Sequence, residues 1–386
     1  MSLLAPKRAA LLVVGLAFFA DTLVYAMLPP LLPEYARLHG LSQTRLGVLF
    51  GSYAAALLLS CLPLGAWSDR RGRRGPFLGG LLAFGGATLL FAFAGTYPVL
   101  LLARVLQGIA AAATWVAGLS MVADHFPADQ RGKAMSAVFA CANLGMFLGP
   151  SFAGWMLGAW GIRAAFLATA GLAVLDALVR VALLPPDPEP QPSGRGYLGL
   201  LRDGTVRAFA GVMALGAGLG AVLEAVLPLH LARNLGMDAR AIGLAFTLAA
   251  LASTFTSPFV GHWTDRRGPG EPIRLGLVLG AGLLLGVALL PTRAAVYLAM
   301  LVMGSTCSCL MSPCGPAMAA RVERQGGTDY GSVFSLLNIA FSLGMMAGPI
   351  LGSVLTDAVG LGRAMPALAG CFALYLAVLG RGAKAA

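Results

Sequence analysis

Twelve apolar stretches of about 18–25 residues recur from one end of the chain to the other, each long enough to cross about 30 Å of hydrocarbon as a helix. They cover approximately residues 9–31, 45–67, 76–96, 99–123, 134–158, 163–185, 206–232, 240–263, 272–291, 294–319, 331–357 and 363–380. Backbone polar groups inside a bilayer must be satisfied within the segment, so such a pattern predicts spanning helices. Composition excludes the soluble alternative: of 386 residues, 58% are hydrophobic and 11% charged, where soluble domains carry about 45–50% apolar and 25% charged residues. The first stretch runs on into Pro29, Pro30 and Pro33 with no small-residue cleavage site, so it reads as a first spanning helix and not a signal peptide. Cys61, Cys141, Cys307, Cys309, Cys314 and Cys371 are scattered through apolar segments without metal-ligand spacing and read as small core residues.

The net charge of +11 is a topology signal. With the N-terminus inside, 18 of the 27 basic residues fall on the cytoplasmic side and 7 on the other, leaving Arg104 and Arg180 within helices. That asymmetry over short loops places both termini in the cytoplasm. Nucleic acid is not implied as a partner; the lipid bilayer is.

The longest polar break contains the proline-rich run PPDPEPQPSGRG, which predicts an extended linker. It divides the chain into an N-terminal six-helix bundle over 1–186, a cytoplasmic linker over 187–205 and a C-terminal six-helix bundle over 206–386. The halves repeat. Gly65-Ala-Trp-Ser-Asp69-Arg70-Arg71-Gly72 returns 196 residues later as Gly261-His-Trp-Thr-Asp265-Arg266-Arg267-Gly268, and Gly145-Met-Phe-Leu-Gly149-Pro150 returns 199 residues later as Gly344-Met-Met-Ala-Gly348-Pro349. Parallel six-helix repeats are one way that secondary transporters are built. The fold class expected is therefore an all-α membrane protein of twelve transmembrane helices in two pseudosymmetric bundles.

The Asp-Arg segments sit where a spanning helix meets the cytoplasm. Gly65 permits close helix approach, Asp69 and Asp265 are suited to cap the positive end of a neighbouring helix, and Arg70, Arg73 and Arg266 to pair with acids or lipid phosphates. Recurrence in both halves points to a conformational latch. Gly145 and Gly149, with Gly348 in the second half, let a neighbouring helix approach, while Pro150 and Pro349 remove a backbone donor and favour bending.

These motifs carry a resemblance. Gly65 to Arg74 resembles the helix 2–3 signature of the major facilitator superfamily, Leu102-Ala-Arg104-Val-Leu-Gln107-Gly108 is similar to its helix 4 motif, and Gly145 to Gly154 resembles the helix 5 motif of its proton-coupled exporters. The resemblance implies the major facilitator fold and a role for Arg104, with Gln107 one turn on, near the coupling machinery. From the residues alone, Arg104 is either a functional intramembrane charge or one that snorkels to the interface.

Three acids lie in apolar helices, where each costs about 2.5–3.5 kcal/mol near the helix centre. Asp176 has Arg180 four residues on, so a local ion pair accounts for it, with a place among the substrate- or proton-binding residues as the alternative. Asp21 and Glu224 lack such a partner and belong to the first helix of each half, so both suit one central cavity. A carboxyl that exchanges its proton for a cation is the minimal chemistry of antiport. Residues around Asp21, Glu224, Asp176 and Asn338 further resemble the vesicular monoamine and acetylcholine transporter branch and its bacterial drug:proton antiporter relatives. That resemblance implies amine recognition and proton coupling at Asp21 and Glu224. Tyr53 stands where the branch has a helix 2 lysine and Asn338 where it has a helix 11 aspartate, and the expectation is a Tyr53–Asn338 hydrogen bond in place of an ion pair. Phe50 matches a pocket aromatic with a cation–π face.

The expected function is proton-coupled antiport or efflux of lipophilic cationic amines or drugs by alternating access, in a bacterial inner membrane. The proton gradient is the only cofactor-like requirement, and the protein is a monomer. Export of a neutral small metabolite such as a sugar is the alternative within the class, and a non-transporting sensor the alternative outside it. No nucleophile–base set, metal-spaced cluster or nucleotide loop is present in the sequence to suggest an enzyme.

Overall fold

The computed structural model describes residues 6–183, 203–324 and 330–382, which are helical nearly throughout and contain no strand. In chain order the helices are α1 (Pro6–Ala26), α2 (Leu28–His39), α3 (Gln43–Arg71), α4 (Arg74–Ala92), α5 (Tyr97–His125), α6 (Ala128–Trp160), α7 (Ile162–Leu183), α8 (Gly204–Leu235), α9 (Ala239–Arg267), α10 (Gly270–Gly286), α11 (Arg293–Met311), α12 (Cys314–Arg324), α13 (Tyr330–Val359) and α14 (Leu361–Gly382). Eleven spans, α11 and α12 counting as one, are long and apolar enough to cross a membrane, and the apolar part of α14, Leu361–Ala377, is a shorter twelfth. The chain is a multi-pass membrane protein.

Two expected helices are interrupted, both at proline. The first stretch turns at Met27 and resumes with Pro29 and Pro30 near the start of α2, where a missing N–H leaves no bond unmade. The tenth stretch breaks between Met311 and Cys314, around Pro313, which can neither donate to the preceding turn nor avoid its carbonyl.

The helices form two compact units. The first comprises Met1–Gly40, Ser52–Ser193 and Asp238–Thr247, the second Leu41–Gly51, Gly194–Met237 and Leu248–Ala386. Thus α3 and α9 each give their opening residues to one unit and the remainder to the other. Most of the expected linker, 187–205, lies outside the described residues.

The repeat extends to the backbone. Among the described residues the only positive φ angles belong to Gly40 (59°), Gly72 (88°), Gly161 (83°), Gly236 (56°), Gly268 (80°) and Gly360 (80°). These are three pairs at the same 196- and 199-residue offsets as the motifs, and each ends a helix in a conformation that favours glycine. Caps pair likewise: Ser42 Oγ accepts from Arg45 N at 3.3 Å and Asp238 Oδ1 from Ala241 N at 2.9 Å, 196 residues apart.

Within the first unit α6 lies directly on α1. A Cβ on Gly145 would strike Thr22 Oγ1 and the Phe19 carbonyl, and one on Gly149 would come within 2.7 Å of Leu23 O. Thr22 Oγ1 also donates to Ala142 O of α6 at 2.8 Å. In the second unit α13 lies on α8 in the same way, with Gly344 against Ala214 O and Gly348 against Gly218 O. The carbonyl of Pro150 receives Gly243 of α9 in the first unit, as the carbonyl of Pro349 receives Gly47 of α3 in the second. The repeated Gly-Pro elements are therefore seats for helix backbones, one on each side of α6 and of α13.

Candidate functional site

Asp21 sits five residues before the end of α1 and is 4% exposed. Its two oxygens are held by donors from neighbouring helices of the same unit. Tyr53 Oη of α3 donates to Oδ1 at 3.0 Å and Oδ2 at 2.9 Å, and Trp115 Nε1 of α5 donates to Oδ2 at 2.7 Å. An indole N–H only donates, so the cradle is built for an acceptor, as a carboxylate is. The indole is itself stacked on Phe18, with ring centroids 4.0 Å apart.

Behind Tyr53 lies Arg104. Gly108, one turn along α5, meets the Tyr53 carbonyl with no room for a Cβ, and this close crossing brings the Arg104 guanidinium to 4.7 Å from the Tyr53 ring and 6.0 Å from that of Tyr25. Arg104 Nη1 donates to Gln107 Oε1 at 3.0 Å, and Gln107 Nε2 donates to Thr88 Oγ1 of α4 at 3.3 Å. Arg104 is 1% exposed, so snorkelling is excluded. A line of polar side chains thus runs from Trp115 through Asp21, Tyr53, Arg104 and Gln107 to Thr88, inside one unit.

Asp176 and Arg180 form the local pair expected, Oδ2 to Nη2 at 2.6 Å, with each side chain 1% exposed. Arg180 also donates from Nη1 to Phe77 O at 2.9 Å and lies 4.0 Å over the Phe77 ring. This anchors α7 to α4.

The second unit holds Glu224, Asn338 and Phe50. Glu224 is half-buried in α8 and within electrostatic reach of Cys307 on α11. Asn338 is exposed and Phe50 is 1% exposed. The single hydroxyl hydrogen of Tyr53, in the first unit, is directed at Asp21. In the same unit α9 and α11 are joined by hydroxyls. Ser308 Oγ lies 3.0 Å from both Ser253 Oγ and Ser257 Oγ, and Ser257 Oγ lies 3.3 Å from Ser312 Oγ at the helix break.

At the Asp-Arg segments, Arg73 Nε pairs with Asp124 Oδ2 at 3.2 Å and Nη1 donates to Ser68 Oγ at 3.2 Å, tying the start of α4 to the end of α5. The side chain of Asp69 lies outside the described residues; Arg70, Asp265 and Arg266 are exposed. Gly65 is less constrained than expected, since a Cβ there would meet only Val116 Cγ1 at 3.7 Å, an ordinary contact.

Trp115, Thr88 and Tyr25 were not singled out by sequence. Trp115 had a readable signal: it follows Arg104 by eleven residues, three helical turns, and so shares its face. Thr88 and Tyr25 had none, because a threonine or tyrosine in an apolar helix is usually a packing residue.

Fold and site together define a membrane protein of two repeated helical halves with ionisable groups buried between its spans. The chain belongs to the Major Facilitator Superfamily, whose model matches residues 14–223 and 208–383. It is similar to the human chromaffin granule amine transporter, 31% identical over 321 residues that cover 82% of this chain and 61% of that protein. It is also similar to the bovine synaptic vesicular amine transporter, 29% identical over 82% of this chain and 62% of that protein. The aligned region thus spans less than two thirds of these relatives. A solved bacterial homolog of the human lysosomal transporter Spinster, in an inward-facing and unoccupied conformation, has the same fold, with a TM-score of 0.78, 17% identity and coverage of 96% of this chain and 92% of that one. The family and its named relatives are transporters and not enzymes.

Proposed function

We propose that this chain is a secondary transporter that exchanges protons for lipophilic organic cations, of the amine or drug type, by alternating access. The observation that carries the reading is Asp21, a carboxyl group 4% exposed in a spanning helix and held by Tyr53 and Trp115. A membrane carboxyl is retained against a large desolvation cost where it handles a proton or a cation. The likeness to proteins named as amine transporters supports a cationic substrate.

In this reading Asp21 and Glu224 bind proton or substrate, Arg104 and Gln107 couple the two, and Tyr53 orients Asp21. The repeated Asp-Arg segments lock the cytoplasmic ends, with bundles 1–186 and 206–386 joined by the linker 187–205. Both termini face the cytoplasm of a bacterial cell. The proton gradient supplies the energy, and the protein works as a monomer.

The test is uptake of a fluorescent organic cation into proteoliposomes carrying an imposed pH gradient. Asp21→Asn and Glu224→Gln should each lower gradient-driven uptake about 100-fold, the scale of losing a proton-transferring group. Uptake that is unchanged in both variants, or that ignores collapse of the gradient, overturns the reading.

A further inference from the structure

Arg104 is a full positive charge inside the first unit, 1% exposed, with no carboxylate within ion-pair distance among the described residues. Asp21, whose charge reaches it, is separated from it by the Tyr53 ring and is already engaged by Tyr53 and Trp115. Of the guanidinium donors, Nη1 is used by Gln107, while Nε and Nη2 have no hydrogen-bond partner. Those two nitrogens form the side-on edge of the guanidinium, the edge that offers two parallel N–H bonds to one anionic acceptor. A neutral water would satisfy the hydrogens without bringing a countercharge into direct contact.

Packing does not require that charge. The position 196 residues on, which the paired turns and caps make the counterpart of Arg104, is Met300, also 1% exposed. The glycine one turn later is kept in both halves: Gly108 against the carbonyl of Tyr53, and Gly304 against the carbonyl of Ala249, again 196 residues apart. A long apolar side chain therefore fills the same place on the same backbone crossing.

We infer that the Nε and Nη2 edge of Arg104 is a binding site for a small inorganic anion of the halide class. The anion is a constituent of the folded protein and is distinct from the cation exchanged at Asp21. The inference concerns binding alone and stands or falls apart from the transport reading.

The test uses the purified full chain at matched ionic strength, in chloride and in gluconate, a much larger carboxylate anion. Chloride should raise the thermal midpoint of the wild type by about 3 °C. Arg104→Met, whose new side chain has a precedent at Met300, should fold and lose that rise. Bromide should give an anomalous scattering peak within hydrogen-bond distance of Arg104 Nε and Nη2. Equal midpoints in the two salts, a rise that persists in Arg104→Met, or the absence of a bromide peak at the guanidinium overturns the inference. If Arg104→Met does not fold, the wild-type bromide peak alone decides.

Discussion

Laid over one another at 196 residues, the two units share a backbone and differ in chemistry. Asp21, Tyr53, Thr88, Arg104, Gln107 and Trp115 in the first unit stand opposite Ala217, Ala249, Leu284, Met300, Met303 and Met311 in the second. Every member of the polar line has an apolar counterpart, and Ala217, Ala249, Leu284, Met300 and Met303 are all buried. The converse holds for the hydroxyls: Ser253, Ser257, Ser308 and Ser312 stand opposite Leu57, Cys61, Ala112 and Val116. One half carries its polarity as charges with fixed donors, the other as uncharged hydroxyls and a half-buried carboxyl. Helix crossing and turn geometry need neither, so both sets are additions to a common scaffold.

The sharpest way to break this comparison lies at the Asp176–Arg180 pair, whose counterparts under the 199-residue offset are Tyr375 and Leu379, Tyr375 donating to Ala208 O at 2.6 Å. Asp176→Leu alone leaves Arg180 buried without its acid and should destabilise the protein by about 3–5 kcal/mol, whereas Tyr375→Phe should cost only about 1 kcal/mol. Denaturant titration in detergent measures both, and Asp176→Leu combined with Arg180→Met should recover most of the loss.

Next in size are the paired glycines. Gly108→Ala and Gly304→Ala each drive a methyl into a facing carbonyl and should cost a similar amount, about 1–3 kcal/mol. Unequal melting losses would show that the two crossings are not equivalent. Smaller again is Trp115→Phe, which keeps the stacking on Phe18 and removes one donor from Asp21. Gradient-driven uptake should fall about tenfold, the worth of one hydrogen bond to a charged group, with the melting temperature nearly unchanged.

The smallest effect concerns the ends of the first helices of the halves. Glu34 and Arg37 pair at 2.6 Å, where His230 and Arg233 stand in the second half. The hydrogen bond from Arg37 holds the Glu34 carboxyl below its ordinary pKa. A depressed carboxyl stabilises the fold above its unfolded pKa and loses that contribution as pH falls through the folded value. Wild type should therefore exceed Arg37→Gln in thermal midpoint by less than about 1 °C near neutrality, and the difference should vanish toward about pH 3. A difference that grows with acid would contradict the pairing.

Most of the architecture was legible because a bilayer leaves helices few alternatives and because the chain repeats itself. Hydropathy placed the spans and the Gly-Pro recurrence marked the close crossings. The breaks at Met27 and Pro313 fall beside prolines but were not legible, since Pro63, Pro150, Pro228, Pro258 and Pro349 lie inside unbroken helices. The division of α3 and α9 between the units was not legible, since nothing in a hydropathy profile says which neighbour the first turns of a helix will touch. At the site, Asp21 and Arg104 announced themselves as charges among apolar residues, while the partners of Tyr53 depended on interhelical register that sequence does not contain. Comparing Asp21 with Glu224 shows the same limit. Read at the repeat offset Glu224 falls opposite Leu28, seven residues beyond Asp21, which is two helical turns or about 10 Å further along the axis. The two acids are therefore not counterparts under the repeat.

The six glycines of positive φ make the chain a controlled experiment on itself. Because they pin the two halves to one template, each residue of one half has a counterpart that reports what the scaffold tolerates at that place. Subtracting one half from the other leaves a short remainder, and that remainder is where substitutions that change chemistry without changing shape should be sought.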